Sequence, residues 1–292
     1  MKKVANLLFP ADYFDKRSPD GAMRAEYEAA VAEGRLDVSL FDLELFDERG
    51  RASLARPFLD PGLPLIYRGW MMKPGEYGSF HRALVGLGLR PITSPEAYAE
   101  FHMFPLAYER HEALRSSSPG LLAFPGTDAD AGMVNGRFER FMVKDYVKSV
   151  KGTSFPASVR TPISQGDLDA LVEEFVRLRG GLFTEGIVLK EVVDLKRYGD
   201  ATNEWRAFCL RGKLLNVCRN SNQHANVPEP PAGLVASCES LGSPYYTVDF
   251  AELVDGGWAV IETGDGQVSG LAAAQDPVIY YQVLADRMGE GA

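Results

Sequence analysis

Cysteine and histidine are scarce in this chain: Cys209, Cys218 and Cys238, with His81, His102, His111 and His224, in 292 residues. They form no CxxC pair and no HExxH, so zinc spacing is absent. Three thiols leave one over in any disulfide scheme, which points to reduced cysteines. The phosphate-binding pattern GxxxxGK[ST] is also missing. No apolar run approaches a membrane span; the first one stops at Pro10 and meets Asp12 and Asp15, too early for a signal peptide. Basic residues are outnumbered, 31 against 40. The net charge of −9 argues against a general nucleic-acid binder, since neutralising phosphates needs a basic surface. What remains is a cytoplasmic, water-soluble chain long enough for one large core or two lobes.

Residues 3–9 read as a buried strand, followed by a helix over 22–33 in which Met23, Tyr27, Ala30 and Val31 recur at helical spacing before Gly34. Strands at 36–41 and 64–67 and a helix at 76–87 complete the pattern of a small α/β domain with a mostly parallel sheet. Residues 94–115 look helical and exposed on one side. The stretch 116–136 is rich in Ser, Pro, Gly and Asp and marks the expected linker between a domain at 1–115 and one at 137–292. Beyond it the period changes: a strand at 138–148, a helix at 166–179, strands at 186–194, 204–210, 213–219, 244–253 and 258–263, and a last helix at 276–288. Residues 227–231 form a loop.

Charged residues recur on these C-terminal strands in a fixed order, cations first and carboxylates last. Lys144 sits in an apolar run and must snorkel or find an anion. The segment Lys148 to Ser154, with Lys151 and a glycine, suits backbone N–H groups laid over phosphates. Lys190, Glu191 and Val193 close a continuously apolar strand whose end would offer backbone groups to a base edge. Side chains alternate along a strand, so a two-residue turn near Arg211-Gly212-Lys213 puts Glu204, Arg206 and Arg219 on one face. Trp205, Ala207, Cys209 and Cys218 then take the other. A two-residue turn within Asp255-Gly256-Gly257 likewise makes Asp249 and Glu262 close neighbours on one face, whereas a three-residue loop turns them apart. Two carboxylates that close repel unless a cation intervenes, and a hard divalent ion such as magnesium bridging to phosphate is the natural one. A solvated acidic hairpin is the alternative. Asp265, in the turn after Gly264, would supply a third ligand, and Arg68 is a candidate for binding a substrate carboxylate.

Together these pieces resemble the ATP-grasp superfamily, over roughly residues 138–271, with 1–115 resembling the α/β domain that usually precedes it. The resemblance implies an α/β and α+β protein: a small N-terminal α/β domain, then an ATP-grasp fold of two α+β subdomains with ATP between them. It implies that Lys144, Lys148, Lys151 and Ser154 hold phosphates, that Lys190, Glu191 and Val193 line the adenine hinge, and that Glu204 belongs to the ATP site. Arg206 and Arg219 would face the terminal phosphate and the acceptor. Asp249 and Glu262 match the first two magnesium ligands, while Gly264 stands where the family has asparagine, with Asp265 one residue later. The implied reaction joins a small-molecule or peptide carboxylate to an amine through an acylphosphate, releasing ADP and phosphate. ATP and Mg2+ are the implied cofactors; no nucleic acid or membrane partner is expected, and a homodimer stays open.

Two other readings compete. A nucleotidyl transferase of the nucleic-acid ligase type would need a KxDG lysine, yet Lys144 is followed by Asp-Tyr-Val. A non-catalytic nucleotide-binding or scaffold protein of the same fold is compatible with the shifted Asp265.

Overall fold

The computed structural model of the protein describes residues 1–220 and 222–290, so the last two residues of the expected 137–292 domain lie outside the described residues. The chain begins with β1 (Ala5–Pro10), α1 (Arg24–Glu33) and β2 (Leu36–Phe41), then α2 (Leu43–Arg49), β3 (Pro64–Tyr67), α3 (Pro74–Gly86) and β4 (Arg90–Pro91). The four strands form one sheet in the order β2-β1-β3-β4, every pairing parallel. β1 and β2 are buried throughout, as parallel strands covered on both faces must be. Gly34, at φ +80°, ends α1 in the left-handed conformation that glycine adopts without strain. The helix α2 was not expected; Asp42 caps it by accepting from Leu45 N at 3.2 Å, immediately after the strand ends.

Residues 95–117 are three short helices rather than one, α4 (Pro95–His102), α5 (Phe104–Arg110) and α6 (Glu112–Ser117). Pro105 in the first turn of α5 forces the second start. Next come β5 (Leu121–Pro125), α7 (Ala131–Asn135), β6 (Arg140–Asp145), β7 (Val159–Arg160), α8 (Gln165–Arg179) and β8 (Gly186–Glu191). They form a second sheet, β5-β8-β6-β7, all antiparallel. The expected linker 116–136 is therefore not a loop: β5 pairs along its length with β8, and Val134 of α7 is fully buried. Its polar composition belongs to the turns around those two elements.

A two-stranded ribbon, β9 (Arg197–Tyr198) and β10 (Ala201–Thr202), leads into the third sheet. That sheet is built from β11 (Glu204–Leu210), β12 (Lys213–Arg219), β13 (Tyr245–Glu252) and β14 (Trp258–Asp265), in the order β12-β11-β13-β14. The helix α9 (Ala232–Ser237) interrupts it, and α10 (Pro277–Gly289) closes the chain. One core covers the second sheet, where Phe141, Val143, Ile187 and Leu189 meet Leu168, Val172 and Phe175 of α8. Another lies between the third sheet and α4–α6, with Phe101, Ala107 and Leu114 against Ala207, Val248 and Val260. A third joins α10 and Phe208, Leu210 and Tyr245 to β1, α1 and β2. No described helix is long and apolar enough to cross a membrane.

Candidate active site

The residues that matter stand where the second and third sheets face each other. In β8, Ile187 and Leu189 point into the α8 core, so Val188 and Lys190 take the opposite face. Lys144 lies directly across from Val188, and Met142 across from Lys190, which puts both lysines on that face. In the third sheet Arg206 is paired with Asp249, and Asp249 with Glu262, so these three share one face.

The two faces meet through charge. Lys144 Nζ donates to Glu262 Oε1 at 3.0 Å, and Lys190 Nζ donates to the Ile261 carbonyl. Arg206 forks onto Asp249, Nε to Oδ1 and Nη2 to Oδ2, both at 2.7 Å, and reaches the Gly270 carbonyl at 3.2 Å. The repulsion expected between the two carboxylates is thus already offset by protein cations. Burial alone would raise the Glu262 carboxyl, but Lys144, Lys148 and Lys190 outweigh it and hold it at about 2. Burial, with Lys144 nearby, pushes Lys190 down to about 7. Its ammonium lies 4.9 Å from the ring centre of Phe104.

Three residues that the sequence reading passed over belong here. His102, 8% exposed, stacks on Tyr98 and is pushed down to about 4 by burial and by Lys148. Phe104 covers Lys190. Asp145 accepts from Val147 N at 2.8 Å and Lys148 N at 2.6 Å and is paired with Arg179 at 2.8 Å, so it shapes the turn that carries Lys148. An aspartate immediately after the strand lysine and before a polar turn was the available signal for Asp145. Nothing local marks the other two, which come from a different part of the chain.

Lysines facing a carboxylate pair across two sheets can hold a polyphosphate with its metal, and the family model for the ATP-grasp domain, R2K clade family 3, matches residues 132–284. The chain belongs to that ATP-grasp family. Similar solved structures cover nearly all of it. A RimK domain protein ATP-grasp from Sphaerobacter thermophilus is 18% identical over 97% of this chain and 98% of its own, with a TM-score of 0.61. A D-cycloserine synthetase is 14% identical over 97% and 100%, with a TM-score of 0.62. The D-alanine-D-alanine ligase of Coxiella burnetii is 13% identical over 100% and 96%, with a TM-score of 0.56. At these identities the likeness shows the fold. No curated protein matches the sequence.

Within this ATP-grasp frame, not every expected residue joins the site. Arg219 lies across from Trp205, and Cys218 across from Arg206, the reverse of the expected faces. A β-bulge at Leu215 is the cause: the register shifts between Phe208 and Cys209, and every residue beyond it changes side. Arg219 instead donates to the His224 carbonyl. Asp265 pairs with Tyr246, on the face opposite Glu262, and its fully buried carboxylate accepts from Gln267 N and Nε2, each at 3.0 Å. Arg68 is 2% exposed and held inside the protein by Glu26 at 2.6 Å, the Ser269 carbonyl at 2.8 Å and the Gly266 carbonyl, so it is committed to internal partners rather than turned to a substrate.

The others keep polar but peripheral places. Glu191 accepts from Gly120 N at 2.8 Å, tying β5 to β8, and it lines with Val193 and Arg140 a cleft of about 480 Å3 at the end of β8. Glu204 accepts from the Thr202 hydroxyl. Lys148, Lys151 and Ser154 are exposed on the loop after β6. Among the described residues no three acids, histidines or cysteines converge as a metal cluster. Asp249 and Glu262 nevertheless fit Mg2+: they are hard oxygen donors directly opposite each other, and this ion commonly takes one or two carboxylates with phosphate oxygens completing its shell.

Proposed function

We propose that the protein is an ATP-dependent ligase that joins a small-molecule or peptide carboxylate to an amine through an acylphosphate, releasing ADP and phosphate. The observation that carries this reading is the convergence of Lys144, Lys190 and Arg206 on the face-sharing carboxylates Asp249 and Glu262. Lys144 and Lys190 would bind the phosphates, with Lys148, Lys151 and Ser154 laid over them from the loop. Glu191 and Val193 would border the base at the end of β8. Arg206 would meet charge gathering on the terminal phosphoryl group, where a fixed cation in a partly dry cleft counts for most. Asp249 and Glu262 would hold Mg2+, which when bound offsets charge on the phosphates. Binding then requires a change of partners: Lys144 leaves Glu262 for phosphate, and Arg206 loosens from Asp249. The carboxylate substrate supplies the nucleophile itself, so no serine or cysteine is required, and the three cysteines are buried or half-buried. In this reading the protein works in the cytoplasm, where ATP is made and kept.

Calorimetry of ATP with and without magnesium is the first test; absence of binding with magnesium present sinks the reading. A screen of carboxylates and amines for ATP-dependent phosphate release then separates a ligase from a binding protein. AMP bonded to the protein would instead mark a nucleotidyl transferase.

A further inference from the structure

A cavity of about 520 Å3 lies between α2 and the segment that follows β3, and none of its lining residues belongs to the lysine–carboxylate cleft. We propose that this cavity binds an organic ammonium ion carrying an apolar or aromatic body.

The walls are Leu43 and Phe46 from α2 with Trp70 and Met71 from the segment, and the charged groups among them are the carboxylates of Asp47 and Glu76. Among the described residues no lysine or arginine lines it. Position favours a ligand: the cavity stands beyond the carboxyl ends of parallel strands, beside the point where the chain crosses from one side of β1 to the other.

The segment is held rigidly. Tyr67 hydroxyl donates to the Trp70 carbonyl at 3.0 Å. Tyr98 hydroxyl accepts from Met72 N at 3.0 Å and donates to its carbonyl at 2.8 Å. Glu76 accepts from Lys73 N at 2.8 Å, and Asp20 fixes the Trp70 indole N–H at 3.1 Å. On this fixed backbone Trp70 and Met71 keep 43% and 50% of their surface in water. A tied-down loop with solvent-facing apolar side chains spends no ordering entropy on a ligand, which is how a preformed site is built. An indole face attracts a cation, and two carboxylates with no cation beside them select one. Burial, together with Glu76 and Glu44, raises the Asp47 carboxyl, consistent with surplus negative charge at this wall.

Phenethylammonium is the probe, titrated into the full chain without nucleotide, so that the outcome does not depend on the ligase reading. Binding is read by calorimetry and by quenching of Trp70 fluorescence, with Trp70→Phe marking the signal from Trp205 and Trp258. The expected result is saturable binding, weakened about tenfold by Trp70→Ala and about fivefold by Asp47→Asn. 2-Phenylethanol is expected to bind at least fivefold more weakly than phenethylammonium, and 3-phenylpropanoate not at all. Equal affinity for the alcohol and the ammonium, quenching that persists in Trp70→Phe, or no saturable binding overturns the proposal. Both substituted residues lie at the surface, outside the buried core, so the variants are expected to fold, and a melt of each confirms it.

Discussion

The hairpin β11–β12 turns through two residues, Arg211 and Gly212, both at positive φ, whereas β13–β14 turns through three, Val254 to Gly256. Counting parity from the turns alone predicts that Arg219 joins the site and Glu262 leaves it. The reverse occurs. Each hairpin carries one β-bulge, at Leu215 in the first and at Ile261 in the second, and each bulge inverts the parity set by its turn. The first expels Arg219 from the face of Arg206; the second restores Glu262 to the face of Asp249. A single extra residue in a strand therefore decides which charges meet, and the turn sequence does not reveal it.

Exchanging Glu262 and Thr263 (Glu262→Thr with Thr263→Glu) is the strongest way to break this arrangement, because position 263 lies across from Val248 on the opposite face. It should move the carboxylate to the far face and abolish both ATP-dependent phosphate release and the thermal shift with Mg-ATP. Retention of that shift would show that the carboxylate pair is not the metal site. Glu262→Gln should lower phosphate release about a hundredfold without moving the strand.

Lys144→Ala comes next. It should weaken ATP about ten- to a hundredfold by calorimetry, the loss of a charge-assisted contact made before any chemistry. Unchanged affinity would mean that the phosphates lie elsewhere.

Arg206→Ala and Arg219→Ala form the sharpest pair. The first should cost about a hundredfold in turnover and the second less than about threefold, since only Arg206 shares a face with the carboxylates. Equal losses would show that the Leu215 bulge shifts when nucleotide binds.

The smallest effect concerns two acids on one strand. Glu262 and Asp265 face opposite ways, and their carboxyls move in opposite directions. Burial pushes Asp265 up to about 7, against its hydrogen bonds to Gln267 and the nearby Arg68, and its Oδ2 is buried without a partner. Between about pH 4 and 7 the folded chain keeps a proton there that the unfolded chain has lost, so stability falls as pH rises through that window. Asp265→Asn should remove the slope, gaining little at pH 4.5 and on the order of 1–2 kcal/mol at pH 8. Thermal melts at the two pH values check it; an equal gain at both would separate the effect from ionisation.

Most elements were legible because their signals are local. The period of 166–179 and the apolar run before Lys190 both act within a few residues. The lysines were readable for the same reason, whereas the Asp249–Glu262 pairing was expected from a two-residue turn that the chain does not have; the turn has three residues and the Ile261 bulge restores the pair. What was hidden is nonlocal. Leu215 and Ile261 are apolar residues in apolar strands, so nothing in composition marks them as extra. β5 lay inside a polar stretch because its partner β8 is more than sixty positions away. Arg68 looks like any basic residue at a strand end until Glu26 and the 266–269 turn close around it.

The return of α10 to the first sheet has a consequence for how the chain comes into being. Tyr280, Tyr281, Leu284 and Met288 complete the core on which Leu7, Phe9 and Val38 rest. Synthesis delivers those earlier strands long before the helix that covers them. On the ribosome the amino-terminal sheet must wait with one apolar flank bare, while the apolar core between the second sheet and α8 is already complete. The flank of the first sheet that α10 covers is thus completed only by the last helix of the chain, although its strands are made first.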